Sequence, residues 1–225
     1  SMAPLRKERR PVCMAAGFFD GLHLGHLKVL HRTKACAEKH GGTAWALTFA
    51  AHPMKVLDPA RAPRLLTSVR HKTMLLASTG LDGCLMLPFT RRLAALEPGD
   101  FVARLCGSVP SLRMIVVGRN WRFGRNGTGD TRSLRRLMGK KGVSVAIVSP
   151  VMARGRAVSS TRIRLCVAAG RLDEAAAMLG RPYSILGTVV HGRGIGRKLG
   201  FPTANLDPHN EVHPPRGIYA VKADI

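Results

Sequence analysis

GFFDGLHLGH, residues 17–26, separates an apolar run, PVCMAAGF (11–18), from a helix-patterned stretch, HLKVLHRTKACAEKH (26–40). The apolar run is short and continuous, as in a strand covered on both faces. Asp20-Gly21 makes a tight turn, and a helix is predicted to begin near Gly25. Leu27, Leu30, Lys34 and Ala37 are expected roughly on one side of that helix. His23 and His26 then occupy neighbouring positions around its first turn and face one point in space. That point lies at the carboxyl end of a strand and at the positive end of a helix, where free N–H groups favour an anion. Three chemistries suit the pair: metal ligation, an acid–base dyad or a grip on phosphate. Two histidines fall short of the three or four ligands of a zinc site. Capping or filling a turn is the plain competing reading.

The alternation continues along the chain. Strands are predicted at AWALTF (44–49), DGCLMLP (82–88), RMIVVG (113–118) and VSVAIVSP (143–150). Helices are predicted over 67–79, 98–106, 131–140, 160–170 and 172–180. Short apolar strands separated by helices indicate an α/β fold with a parallel sheet. After GRP (180–182) the texture changes to YSILGTVVHG, a run of glycines, FPTANL and GIYAVKADI, strand-like with turn signals and no helix. A boundary near 181 follows, giving units 1–180 and 181–225. The second unit is shorter than the roughly 50 residues at the low end for a domain and is expected to be incomplete. Ser1, ahead of Met2, reads as an added residue.

The 225 residues, 45% hydrophobic and 22% charged, suit a globular protein with a sizeable core. No run reaches the roughly 18 apolar residues that span a bilayer, and a cytoplasmic location is expected. Cys13, Cys36, Cys84, Cys106 and Cys166 are scattered singly, which reads as reduced thiols in a core. Thirty-six Lys and Arg against 13 Asp and Glu give a net charge of +23. Such a charge attracts polyanions, nucleic acid among them. The arginines are spread along the chain, however, and do not alternate with aromatics as a single-strand platform requires. An arginine-rich composition with no dedicated partner accounts for them equally well.

Two further stretches follow strands. VGRNWRFGRNGTGD (117–130) combines glycines, which permit close approach, with aromatics that can stack and arginines that can pair with phosphate. VSSTRIR (158–164) opens a helix, with Ser159 or Ser160 as its cap and Thr161 and Arg162 free for phosphate. A flexible basic loop and an ordinary helix cap are the plain readings.

GFFDGLHLGH, TFAAHP (48–53), VGRNWRFG and SSTRIR, in this order, resemble the motifs of the bacterial bifunctional riboflavin kinase/FAD synthetase family. LGRPYSILGTVVHGRGIGRKLGFPTANL is similar to that family's junction and the opening of its kinase domain. The resemblance implies a Rossmann-like nucleotidyltransferase domain followed by part of a β-barrel riboflavin kinase domain. It implies AMP transfer from ATP to FMN, giving FAD and pyrophosphate, with Mg²⁺. The family assigns His23, His26 and Arg162 to catalysis. Gly17, Phe18, Phe19, Asp20, Gly25, Ser159, Ser160 and Thr161 would bind nucleotide, and Phe49, His52, Pro53, Asn120, Arg122 and Phe123 would line the flavin cleft. Asn120 stands where the family has Asp or Asn, and Trp121 replaces the commoner Phe. The FMN phosphate is already ionised near neutral pH, so the reaction needs alignment and charge relief rather than a base.

HGRGIGRKLGFPTANL (191–206) contains no GxxxxGK and is followed by no helix, so it is neither a P-loop nor a dinucleotide fingerprint. The resemblance implies that Gly194 and Gly196 approach ATP phosphates and that Thr203, with Asn205, serves Mg²⁺ in a complete kinase domain. Riboflavin phosphorylation is not expected of the 225 residues. Two alternatives remain: a nucleotidyltransferase acting on another phosphorylated cofactor precursor, and a basic nucleic-acid-binding protein. Oligomeric state is not legible.

Overall fold

A computed structural model describes residues 3–193 and 195–224. A short helix α1 (Ala3–Arg6) precedes β1 (Val12–Ala16), α2 (Leu24–Lys39) and β2 (Thr43–Phe49). Next come α3 (Pro53–Leu57), α4 (Val69–Ala77), β3 (Gly83–Leu87), α5 (Arg91–Ala94), α6 (Pro98–Ser108) and β4 (Leu112–Gly118). The first unit closes with α7 (Thr131–Gly139), β5 (Ser144–Val148), a β6–β7 hairpin (Met152–Ala153, Arg156–Ala157), α8 (Ser160–Ala168) and α9 (Leu172–Leu179).

β1 to β5 form one parallel sheet in the order β3-β2-β1-β4-β5. All five residues of β1 are buried, as the continuous apolar run predicts. One face, with Met14, Leu47, Ile115 and Val117, packs on α6 and α7 through Val102, Leu105, Leu134 and Met138. The opposite face, with Ala15, Ala46 and Val116, packs on Leu30 of α2 and Leu76 of α4. Strand order reverses between β1 and β4, and the crevice beyond their carboxyl ends is where open α/β sheets bind ligands.

The buried face of α2 differs from the expected one: it carries Val29, Leu30, Thr33, Cys36 and Ala37. Lys34 is turned aside, its Nζ donating to the Thr79 carbonyl at 3.1 Å. The expectation of five reduced thiols also fails. Cys13 of β1 and Cys36 of α2 form a disulfide, leaving Cys84, Cys106 and Cys166 free. Single scattered cysteines give no pairing signal; the packing of α2 on β1 brings these two together.

Beyond α9 lies an antiparallel pair, β8 (Gly187–Val190) and β9 (Asn205–Pro208). The expectation of no helix here is corrected by α10 (Ile195–Lys198), a single turn after which Leu199 and Phe201 donate to the Gly196 carbonyl. Val189, Phe201 and Leu206 are exposed. The segment after β9 is anchored instead: Val212 is buried in a cluster with Leu66, Ile163 and Met178.

Candidate active site

The turn between β1 and α2 is strained and heavily braced. Phe19 and Leu22 are buried at φ of 56° and 39°, a region that side chains other than glycine rarely adopt. Asp20 is 2% exposed and sits at the centre of the bracing. Its Oδ1 accepts from the Thr67 N–H (3.0 Å) and hydroxyl (3.1 Å); its Oδ2 accepts from the Leu66 N–H (3.1 Å) and Arg164 Nη2 (2.7 Å). Ser160 Oγ donates to the Asp20 carbonyl at 3.0 Å, tying the start of α8 to the turn. Arg181 closes the other side, donating to the carbonyls of Gly21 (2.8 Å) and Leu22 (3.0 Å).

This bracing presents the two histidines at the start of α2. His23 is its N-cap, and its Nδ1 accepts from the His26 N–H at 3.3 Å. The rings stack, with centroids 3.6 Å apart and 15° between planes. Gly25 fits beneath them because a Cβ there would stand 3.0 Å from the His23 ring. Burial pushes the His23 pKa down to about 4. Burial, with the charge His23 would carry if protonated and that of Lys72, holds His26 well below its ordinary value. Both rings are therefore neutral near pH 7. An Nδ1 that accepts carries no proton, so His23 keeps its single N–H on Nε2. The Nδ1 of His26 is buried without a hydrogen-bond partner.

TFAAHP meets the same turn. His52 caps α3, its Nδ1 accepting from the Met54 N–H at 3.2 Å, and its ring meets Phe18 edge-on at 4.8 Å. Phe49, at the end of β2, meets Phe89 edge-on, and Pro53 opens α3. Lys72 of α4, unremarked in the sequence, locks this corner. It is 2% exposed, lies 4.1 Å from the Phe18 ring centroid, and donates to the Phe18 and Phe49 carbonyls at 3.3 and 2.6 Å. Burial brings its pKa down to about 8. Thr48 Oγ1 donates to the same Phe18 carbonyl.

Several expected ligand contacts have structural occupations. The Asp20 carboxylate spends its four acceptances on Leu66, Thr67 and Arg164, leaving no oxygen to face a nucleotide. Arg162 is engaged by the neighbouring hairpin: its Nη1 donates to the carbonyls of Arg156 and Ala157, each at 2.8 Å, holding β6–β7. Ser159 caps α8 by accepting from the Arg162 N–H, while Thr161 is exposed. Phe123 is 6% exposed in the core with Phe101, its ring stacked on Trp121 at 4.8 Å. Asn120 and Arg122 are exposed on the loop leaving β4. Arg164, Arg181 and Lys72 are the functional-site cations that sequence reasoning missed; only the spacing of Arg164, two residues past Arg162, hinted at any of them.

Gly17 is packed under Phe19, whose ring would lie 2.8 Å from an added Cβ. In the last segment Thr203 and Asn205 are exposed, and a Cβ on Gly196 would stand 2.8 Å from Thr203 Oγ1. Gly194 lies outside the described residues.

The FAD synthetase family model matches residues 5–162, and the riboflavin kinase family model matches residues 179–225. This chain belongs to the bifunctional riboflavin kinase/FMN adenylyltransferase family. The Bacillus subtilis member is 34% identical over 224 residues, covering 98% of this chain and 70% of that protein. The member from Buchnera aphidicola is 31% identical over 219 residues, covering 97% and 70%. A solved structure named as a macrolide-efflux protein from Streptococcus pneumoniae superposes with a TM-score of 0.82 at 28% identity, covering 95% of this chain and 69% of that one. Among the described residues, no helix is long and apolar enough to cross a membrane.

Proposed function

We propose that this chain joins FMN to ATP, giving FAD and pyrophosphate. The observation that carries the reading is the stacked, neutral His23–His26 pair at the start of α2, with TFAAHP and SSTRIR meeting the GFFDGLHLGH turn that presents it. An FMN phosphate oxygen attacks the α-phosphorus of ATP. The new P–O bond forms as the bond to the β-phosphate bridging oxygen breaks, and pyrophosphate leaves with that electron pair. Nε2–H of His23 and the free N–H groups at the starts of α2 and α8 supply donors for the charge that develops. Neutral rings suit this task because no proton needs to move. Phe18, His52 and Phe49 form the wall against which a flavin or adenine ring stacks. Asn120 and Arg122 rim the β4 side.

Mg²⁺ is expected on the triphosphate. The side chains present do not form a cage for it: among the described residues no group of three or more His, Cys, Asp or Glu could hold a metal. Thr203 is proposed for Mg²⁺–nucleotide only in a complete kinase domain; the match of the riboflavin kinase family over residues 179–225 makes riboflavin phosphorylation, not expected from the sequence, a second reaction to be tested. Location in the cytoplasm and small-molecule rather than nucleic-acid substrates complete the proposal.

The test is incubation with FMN, ATP and Mg²⁺, followed by chromatography for FAD. Riboflavin in place of FMN reads the second reaction. His26→Ala removes the ring that stacks on His23 and sets its Nε2–H donor, and is expected to lower FAD formation by roughly 100-fold, the usual cost of losing a donor to developing charge. Full activity in that variant, or no FAD from the folded parent, overturns the reading.

A further inference from the structure

The segment matching the riboflavin kinase model reaches into the bracing of the adenylyl-transfer turn. Asn210, just past β9, is 4% exposed and fully engaged. Its Oδ1 accepts from the Leu186 N–H at 3.2 Å, and its Nδ2 donates to the Leu66 carbonyl at 2.6 Å, Tyr183 Oη at 3.0 Å and the Ser184 carbonyl at 3.1 Å. Tyr183 Oη also lies 3.1 Å from the Leu66 carbonyl and 2.8 Å from that of Val212. Glu211 pairs with the neighbouring residue: its N–H donates to the Leu65 carbonyl, and its Oε2 accepts from the Leu65 N–H at 2.7 Å. Lys55 closes an ion pair on the other Glu211 oxygen.

Leu66 is thereby held from two directions. Its carbonyl is fixed by Asn210 and Tyr183, while its N–H, with that of Thr67, fixes the Asp20 carboxylate. Asp20 is the central brace of the turn that carries His23. Leu66 itself is fully buried and has no freedom to absorb a displacement on one side without passing it to the other.

We infer that Asn210, assisted by Tyr183, is a positioning residue for AMP transfer, acting through Leu66 and Asp20 on the turn that presents His23. This rests on the function proposed above. The kinase-like segment is then a structural part of the adenylyl-transfer site. A shift of the turn by about 1 Å suffices to cost orders of magnitude in rate.

The test uses the full chain. Asn210→Asp keeps the acceptor for Leu186 but sets an oxygen against the Leu66 carbonyl. Measured on protein shown to be folded at the assay temperature, it is expected to lower kcat at least tenfold while KM for FMN stays within twofold. It should also shift the His23 ring resonance, assigned by comparison with His23→Gln. A role confined to stability would lower Tm and leave kcat and that resonance unmoved, and this outcome overturns the inference. Should Asn210→Asp fail to fold, Tyr183→Phe decides by the same measures, with a fall in kcat of about threefold expected and no change overturning. If the parent makes no FAD, the reading of function falls, and the His23 resonance alone judges the relay.

Discussion

At the scale of single residues, the site is a matter of proton and donor placement. His23 is buried and neutral, so its titration is linked to folding. Its pKa falls from 6.5 in the unfolded chain to about 4. The unfolded chain therefore binds the extra proton first as pH drops, and the stability this neutral ring secures is complete above about 6.5 and lost progressively towards 4. The loss approaches about 3 kcal/mol for His23 alone. His26 shifts in the same direction. Urea titrations at pH 7 and pH 4.5 are expected to show this loss, and His23→Gln should flatten the dependence; an equally steep dependence in that variant refutes the assignment. The histidine pair was legible in the sequence because its spacing and its place between a strand and a helix are local facts. The roles of Asp20, Lys72, Arg164 and Arg181 were not. A lone cation in an amphipathic helix reads as solvent-facing, and only the packing of α4 and α8 on the β1 turn places Lys72 and Arg164 inside. Phe123 was illegible for the opposite reason: an aromatic in a glycine-rich loop suggests a ligand wall, yet this one folds back onto Phe101 and the core.

At the scale of elements, α2 and β1 form the rigid mount of the turn, and the sequence predicted both to within a few residues. Their covalent link was hidden, because Cys13 and Cys36 are 23 positions apart and lack any motif. The link is checked by counting thiols. Alkylation of denatured, unreduced protein should modify three cysteines, Cys84, Cys106 and Cys166, rising to five after reduction. Five modified without reductant would remove the link. Where it is formed, Cys36→Ala is expected to cost roughly 2–4 kcal/mol, the range for closing a loop of this kind. The β8–β9 pair was anticipated as strand-rich, whereas α10 escaped notice because a single turn in a glycine run leaves no periodic signal.

For the whole molecule, the net charge of +23 gathers partly at the sheet edge. Lys28 and Arg32 of α2 and Arg132, Arg135 and Arg136 of α7 flank β5 from opposite faces. Among the described residues none of the five has a carboxylate partner. Cations beside an open strand edge discourage edge-to-edge pairing and draw anionic substrates towards the protein. The kcat/KM for ATP is expected to fall severalfold between 50 and 500 mM NaCl as this field is screened. Duplex DNA should bind only at low salt. Tight duplex binding that persists at physiological salt would instead revive the nucleic-acid reading.

The bracing of the β1–α2 turn also fixes when in the life of the chain the site can exist. Its donors lie far along the sequence: Thr67 and Leu66 are 46 or more positions away, Ser160 is 140, and Arg181 is 160 from Gly21. A growing polypeptide that has already released GFFDGLHLGH from the ribosome holds ten residues of motif and none of its supports. The turn holding Phe19 and Leu22 at positive φ gains its α8 and Arg181 braces only after those residues emerge, and the Leu66 carbonyl waits longer still, for Asn210. The first of these motifs to be synthesised is therefore among the last to gain all its supports.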